Sequence, residues 1–261
     1  MTSPLDQDLR VFAHRLADEG RRISLEFFRT RYDVTRKEDG TPVTDADLAI
    51  ENALRQMIEQ HYPAHGVFGE ENDACRSDAE WLWVIDPIDG TKSFATGKPT
   101  FGCLIALLHH RQPVLGIIDM PALKERWLGM VEHPTRLNEQ LCRTSSTHEL
   151  SAATLNATTP DMFNPEEWAT FSSLGEAVRF RQFGADCYAY GLLASGFTDL
   201  VMEAGLGKYD YLALVPVIEG AGGCISDWQG QPLTFDSGSQ VLASANARLH
   251  ENTLRMIESL T

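Results

Sequence analysis

Residues 81–94, WLWVIDPIDGTKSF, constrain the fold more than any other stretch. An apolar run from Trp81 to Ile85 reads as a buried strand, and it ends in Asp86, Pro87, Ile88 and Asp89 before Gly90 and Thr91. Two carboxylates at the mouth of a buried strand repel by several kcal/mol at an effective dielectric of about 20, unless one is protonated or a cation lies between them. Pro87 fixes its own φ, and the Ile88 carbonyl can point the same way as the two side chains, so the turn offers three oxygens to one point. Oxygen-only ligation suits a hard cation such as Mg²⁺ and does not suit zinc, which prefers His and Cys. The competing reading of the same string is an Asp-Pro-x-Asp-Gly surface turn.

Three further acidic stretches bear on that choice. FGEE places Glu70 and Glu71 after a short apolar strand, TDAD places Asp45 and Asp47 in the first turn of a helix opening at Thr44, and KYDYLALV places Asp210 at the start of another helix. Singly, an Asp at a helix start is a cap or a partner of the helix dipole. Together, four acidic stretches at the ends of four elements have the composition that a multi-metal cleft needs. Gly90 lets the backbone approach a ligand closely, and a helix starting at Thr91 would turn free N–H groups toward an anion. Cations beside an anion-binding helix start point to phosphoryl chemistry. The Thr91 hydroxyl could orient a water that a cation makes nucleophilic near neutral pH, or it could simply cap the helix.

At 261 residues with 43% hydrophobic content, the chain can form one large domain or two half-domains around a sizeable core. Helical spacing from Leu5 to Phe27 predicts one long amphipathic helix over 5–29, and a second runs from Thr44 to the HYP at 61–63. Short apolar runs then predict strands at GVFGEE, WLWVID, FGCLIALLHH, QPVLGIIDM and KERWLGMVE, so residues 1–135 read as an α+β half. Residues 136–261 alternate strand and helix and read as an α/β half carrying Asp210. One compact unit with a cleft between the halves is expected. Lys and Arg number 22 against 37 Asp and Glu, a net charge of -15, with no basic strip for nucleic acid. No signal-like start and no run of about 18 apolar residues is present, so a cytoplasmic protein without a membrane partner is expected. Five scattered cysteines in no C-x-x-C pair argue against a disulfide framework. His61 and His65 flank Pro63 and lack the H-E-x-x-H glutamate, and GLGK at 205–208 lacks most of a Walker loop. No G-x-S-x-G supports a serine nucleophile.

In order along the chain, VTDAD, GEE at 69–71, DPIDGT at 86–91, and Tyr209-Asp210 followed by LVPVIEGAGG resemble the inositol monophosphatase family. Tyr209 stands where that family usually has tryptophan. The resemblance implies a layered αβαβα sandwich. It implies one Mg²⁺ on Glu70, Asp86 and the Ile88 carbonyl, a second on Asp86, Asp89 and Asp210, and a weaker third beside Glu70, hence two to three ions. It also implies catalytic roles for Glu70, Asp47 and Thr91, with Thr91 hydrogen-bonded to Asp47 and aligning a water, and a phosphate held on the amides of Gly90 and Thr91. A homodimer and lithium sensitivity follow from the same likeness. TGKPTFGCLIALL, GIIDMPALKERWLG and GADCYAYGLLASG look most similar to the histidinol-phosphatase branch, apart from Ala185 where that branch has cysteine. Asp186, Asp89 and Glu203 are then the substrate contacts, since carboxylates pair with the ammonium and imidazole of histidinol phosphate. The implied reaction is hydrolysis of L-histidinol phosphate in histidine biosynthesis. The alternatives are an inositol-1-phosphatase, a broader sugar phosphatase, or a regulatory metal-binding protein without activity.

Overall fold

The computed structural model describes residues 4–30, 34–36 and 42–260. Helix α1 (Pro4–Phe27) buries Leu9, Phe12, Leu16 and Ile23, the stripe predicted by their spacing. A short antiparallel ribbon of β1 (Val34–Arg36) and β2 (Pro42–Thr44) leads to α2 (Asp45–His61). Most of the polar turn expected before α2, and the Thr44 side chain expected to cap it, lie outside the described residues. None of the described helices is long and apolar enough to cross a membrane.

A seven-stranded sheet follows, with its strands side by side in chain order: β3 (Gly66–Gly69), β4 (Trp81–Asp89), β5 (Gly102–His109), β6 (Gln112–Met120), β7 (Glu125–Met130), β8 (His133–Leu137) and β9 (Gln140–Leu141). Only β3 and β4 run parallel, and a short helix, α3 (Thr91–Ala95), interrupts the path from β4 to β5. The boundary expected after residue 135 falls inside β8, and this sheet continues to Leu141.

The rest of the chain alternates as β10 (Thr154–Ala157), α4 (Pro165–Ala177), β11 (Phe180–Phe183), α5 (Tyr188–Ala194) and β12 (Leu200–Glu203), then α6 (Lys208–Tyr211), α7 (Leu214–Gly220), β13 (Cys224–Ser226), β14 (Val241–Ser244) and α8 (Ala247–Glu258). Its five strands order as β11-β10-β12-β14-β13. The single helix expected from Asp210 is two helices, broken at Leu212 and Ala213.

Strand side chains alternate between faces, and this sorts the core into layers. Trp83, Ile85, Cys103, Ile105 and Leu107 pack against α1 and α2. Their neighbours Leu82, Val84, Leu104, Ala106 and Leu108 pack against α5 and α7 and the inner residues Val201, Val241 and Ala243 of the second sheet. The opposite face of that sheet, with Leu200, Met202 and Leu242, is covered by Phe171 and Leu174 of α4 and Leu249 and Ile257 of α8. Helix pair, sheet, helix layer, sheet and helix pair make the αβαβα sandwich. Because α6 packs against β4, Asp210 meets the carboxylates at the end of that strand.

Candidate active site

Strand β4 is buried from Leu82 to Ile88, so Asp86 cannot relax into solvent, while Asp89 at its end is half-buried. Pairing with β5 runs regularly to Asp86 opposite Leu104 and resumes at Asp89 opposite Gly102, which leaves Pro87 and Ile88 as an irregularity in the ladder. Such bulges re-aim side chains at sheet ends. Here carboxylate oxygens of Asp86, Asp89 and, from α6, Asp210 all lie within 4.8 Å of one another. Glu70, just past β3, is close enough to raise the carboxyls of both Asp86 and Asp210 electrostatically.

The cost of this crowding shows in the proton affinities. Burial, followed by Glu70, Asp89 and Asp210, pushes the Asp86 carboxyl well above the usual carboxylate range. Asp89 is likewise pushed up, first by burial and then by Asp186 and Asp210, although the Cys187 amide donates to its Oδ2 at 2.6 Å. Burial raises Asp210 to about 7, against the opposing effect of the Gly207 amide, which donates to Oδ2 at 2.6 Å. The buried Oδ1 of Asp86 has no hydrogen-bond partner. A cluster of oxygen donors that repel one another and include an unsatisfied buried oxygen fits a hard divalent cation.

Around this cluster the structure places the other sequence-derived candidates. Asp47 is fully buried in the first turn of α2. The Thr91 hydroxyl, expected to bond to Asp47, donates to the Ile88 carbonyl at 3.1 Å, three residues back across the turn at Gly90. Gly90 has φ of 80°, and a Cβ there would come within 2.9 Å of the Asp186 carboxyl group, so glycine is required on both counts. Asp186 itself has φ of 49° and precedes α5, whose start is at Tyr188, so it is not that helix's cap. Its Oδ2 accepts from the Ser93 hydroxyl at 2.8 Å. Burial raises its carboxyl, and Ser93, Lys98 and Lys92 oppose that shift. Glu203 is 3% exposed. Its Oε1 accepts from the Thr158 amide at 2.7 Å and its Oε2 from the Tyr190 hydroxyl at 2.9 Å. Asp89, Asp186, Glu203 and Asp210 share the wall of one cavity of about 100 Å³. Tyr209, beside Asp210, stacks on Phe68 with ring centroids 6.5 Å apart.

A buried acid next to the site is absent from the sequence-derived candidates. Glu51, on α2 and fully buried, receives the Glu71 amide at 2.8 Å, the Asn72 amide and side chain at 3.1 Å each, and Arg55 Nε at 2.7 Å. A Cβ on Gly69 would come within 2.2 Å of its carboxylate. Glu51 therefore clamps the segment that carries Glu70. A signal for it was present: Asp47 and Glu51 are four residues apart and interleave with Ala46, Ile50, Leu54 and Ile58, placing two acids beside an apolar stripe.

Comparison with known proteins agrees with this geometry. The sequence profile of the inositol monophosphatase family matches residues 6–261. The chain is 45% identical to the chloroplastic bifunctional phosphatase IMPL2 of Arabidopsis thaliana, over 97% of this chain and 77% of that protein. It is 35% identical to a histidinol-phosphatase of Chlorobaculum parvum, over 96% of both chains. Among solved structures, an inositol monophosphatase from Zymomonas mobilis superposes with a TM-score of 0.90 at 44% identity, over 98% of this chain and 99% of that one. The chain belongs to the inositol monophosphatase family.

Proposed function

We propose that the chain is a Mg²⁺-dependent phosphate monoester hydrolase acting on L-histidinol phosphate. The observation that carries the substrate class is Asp186, a carboxylate set against Gly90 and Asp89 on the wall of the cavity that also holds Asp210. A cationic substrate suits that wall, whereas a neutral polyol gains nothing from a further acid. The names of the curated relatives, a histidinol-phosphatase and a bifunctional phosphatase, support the same reading. The second reading, an inositol phosphatase, draws on the likeness to the Zymomonas mobilis structure. The deciding assay is phosphate release from L-histidinol phosphate and from inositol 1-phosphate, with Mg²⁺ and with EDTA. Preference for the first substrate with loss in EDTA is expected. Preference for inositol phosphate would overturn the substrate assignment, and no release from either would favour a binding protein.

In this reading Glu70, Asp86, Asp89, Asp210 and the Ile88 carbonyl hold two to three Mg²⁺ ions. When bound, these neutralise the clustered carboxylates, polarise the phosphoryl group and make a water acidic. Asp86 takes part through its buried, unpartnered Oδ1, while the Cys187 and Gly207 amides fix Asp89 and Asp210 by donating to them. The amides of Gly90 and Thr91 serve as donors to the phosphate. Thr91, Asp47 and Glu70 orient the attacking water and receive its proton. Asp186 and Asp89 pair with the cationic part of the substrate, and Glu203 acts from behind them, since Thr158 and Tyr190 already occupy its oxygens. Exposed Phe180 and Phe183 on the edge strand β11 provide an apolar margin in keeping with a homodimer.

Two substitutions test the assignment of roles. Thr91→Ala should lower kcat about a hundredfold with KM for the substrate little changed, since it removes a group needed for proton transfer and leaves the carboxylates in place. Unaltered turnover would refute the role given to Thr91. Glu51→Gln keeps the shape but turns an amide NH₂ toward donors, leaving at least one buried group unsatisfied at a cost of about 1–3 kcal/mol. The expected result is a lower melting temperature and a raised Mg²⁺ concentration for half-maximal rate, because Glu70 loses its clamp. A change in melting temperature alone would limit Glu51 to the fold.

A further inference from the structure

At the other end of β4, about 20 Å along the strand from Asp86, lies a second group of metal-ligating side chains with a different chemistry. His109 Nε2 is 2.9 Å from Glu80 Oε1, and His110 Nε2 is 3.7 Å from the same oxygen. Ligand atoms of the three residues lie within 4.8 Å of one another. Ligands bound at about 2.0–2.1 Å in a tetrahedron are separated by about 3.3 Å, a value that the two shorter spacings bracket. Two imidazoles and one carboxylate suit Zn²⁺, Cu²⁺ or Ni²⁺, whereas Mg²⁺ prefers all-oxygen sets.

The scaffold holds these donors in place. Trp81 and His109 are cross-strand partners, and their rings stack with centroids 4.2 Å apart and planes 22° from parallel. The His110 amide donates to the Glu80 carbonyl at 2.9 Å, tying the residue before β4 to the β5–β6 hairpin turn. His110 and Arg111 form that turn, with φ of 48° and 65°, and Arg111 is anchored by its Nε donating to Asp236 at 2.8 Å. The left-handed backbone at His110 brings its imidazole to the same side as His109, with ring centroids 4.2 Å apart.

We infer that Glu80, His109 and His110 form a surface site for a divalent first-row transition metal, distinct from the acidic cluster. With one carboxylate and two imidazoles as ligands, positions remain open to water, and the ion would pin the hairpin turn to the start of β4. The test uses untagged full-length protein in excess Mg²⁺, with Zn²⁺ measured by equilibrium dialysis and Cu²⁺ followed by quenching of tryptophan fluorescence. Wild type is expected to bind one more equivalent of Zn²⁺ than His110→Ala or Glu80→Gln, or to bind it about tenfold more tightly or better. Cu²⁺ is expected to quench wild type more than His110→Ala, a variant that leaves the Trp81–His109 stack intact. Equal Zn²⁺ stoichiometry and affinity in all three proteins, each folded by circular dichroism, would overturn the inference, as would Cu²⁺ quenching untouched by His110→Ala. Zn²⁺ bound by all three with the same affinity would assign the ion to the acidic cluster.

Discussion

Asp86→Asn is expected to lower turnover by about three orders of magnitude and, in protein freed of divalent cations, to raise the melting temperature above pH 7. The two effects have one cause. Asp86 belongs to both proposed ion sites, so its loss removes charge stabilisation worth several kcal/mol in the transition state. Without divalent cations, however, the same carboxylate is a liability. A carboxyl whose folded pKa is raised contributes stability that is fully present below its ordinary value near 4 and is lost as pH rises through the folded pKa. Asp210, raised from 3.8 to about 7, corresponds to roughly 4 kcal/mol at the upper limit, and Asp86 and Asp89 are raised as well. Metal-free wild type should therefore melt lower at pH 8 than at pH 5. The Asp86 carboxyl also hydrogen-bonds Asp210 and opposes its rise; asparagine keeps that donor while removing one charge, so the variant should melt higher than wild type at pH 8. At about 2 °C per kcal/mol for a chain of this size, the difference should be several degrees. Mg²⁺ should raise the wild type by mass action and flatten its pH dependence, and should do little for the variant. A metal-free variant that melts below wild type at pH 8, or one that retains activity, would defeat the reading of this cluster.

The fold and the acidic end of β4 were legible because both depend on local pattern. Apolar spacing marks α1 and α2, two-residue alternation marks the strands, and an acid pair closing a run of buried residues has few physical solutions. What escaped depends on contacts distant in sequence. β8 and β9 carry exposed or polar residues on an edge, so HPTRL and QL look like loop until β7 is beside them. The Thr91 hydroxyl is a local exception: its bond to the Ile88 carbonyl lies three residues back, across the turn at Gly90. Spacing sets Glu51 beside the apolar stripe of α2, but it does not reveal that Gly69 and the 71–72 amides close over it. Glu203 marks a similar limit: its residue type suits a substrate contact, but the Tyr190 hydroxyl and Thr158 amide that occupy its oxygens cannot be read from spacing.

Asp186→Asn is expected to lower kcat/KM for L-histidinol phosphate by about thirtyfold or more while leaving inositol 1-phosphate within about threefold. Asparagine is the informative replacement. It tolerates the left-handed backbone at φ of 49°, and its amide oxygen can still accept from Ser93, whereas alanine would strain the turn and strand that hydroxyl. The substitution thus removes charge and little else. Truncating one partner of a desolvated charge pair costs about 2–5 kcal/mol, or roughly thirtyfold and upward, and a neutral polyol has no such pair to lose. The acidic cluster supplies an internal control, because Asp186 is one of the negative neighbours that push up the Asp89 carboxyl. Removing it makes Asp89 easier to ionise and does not weaken the proposed ion site. A selective loss on histidinol phosphate therefore cannot be blamed on the metal. Equal losses on both substrates would instead make Asp186 a support for Gly90 and Asp89, and no loss on either would leave the cationic substrate without a recognised partner in this cavity.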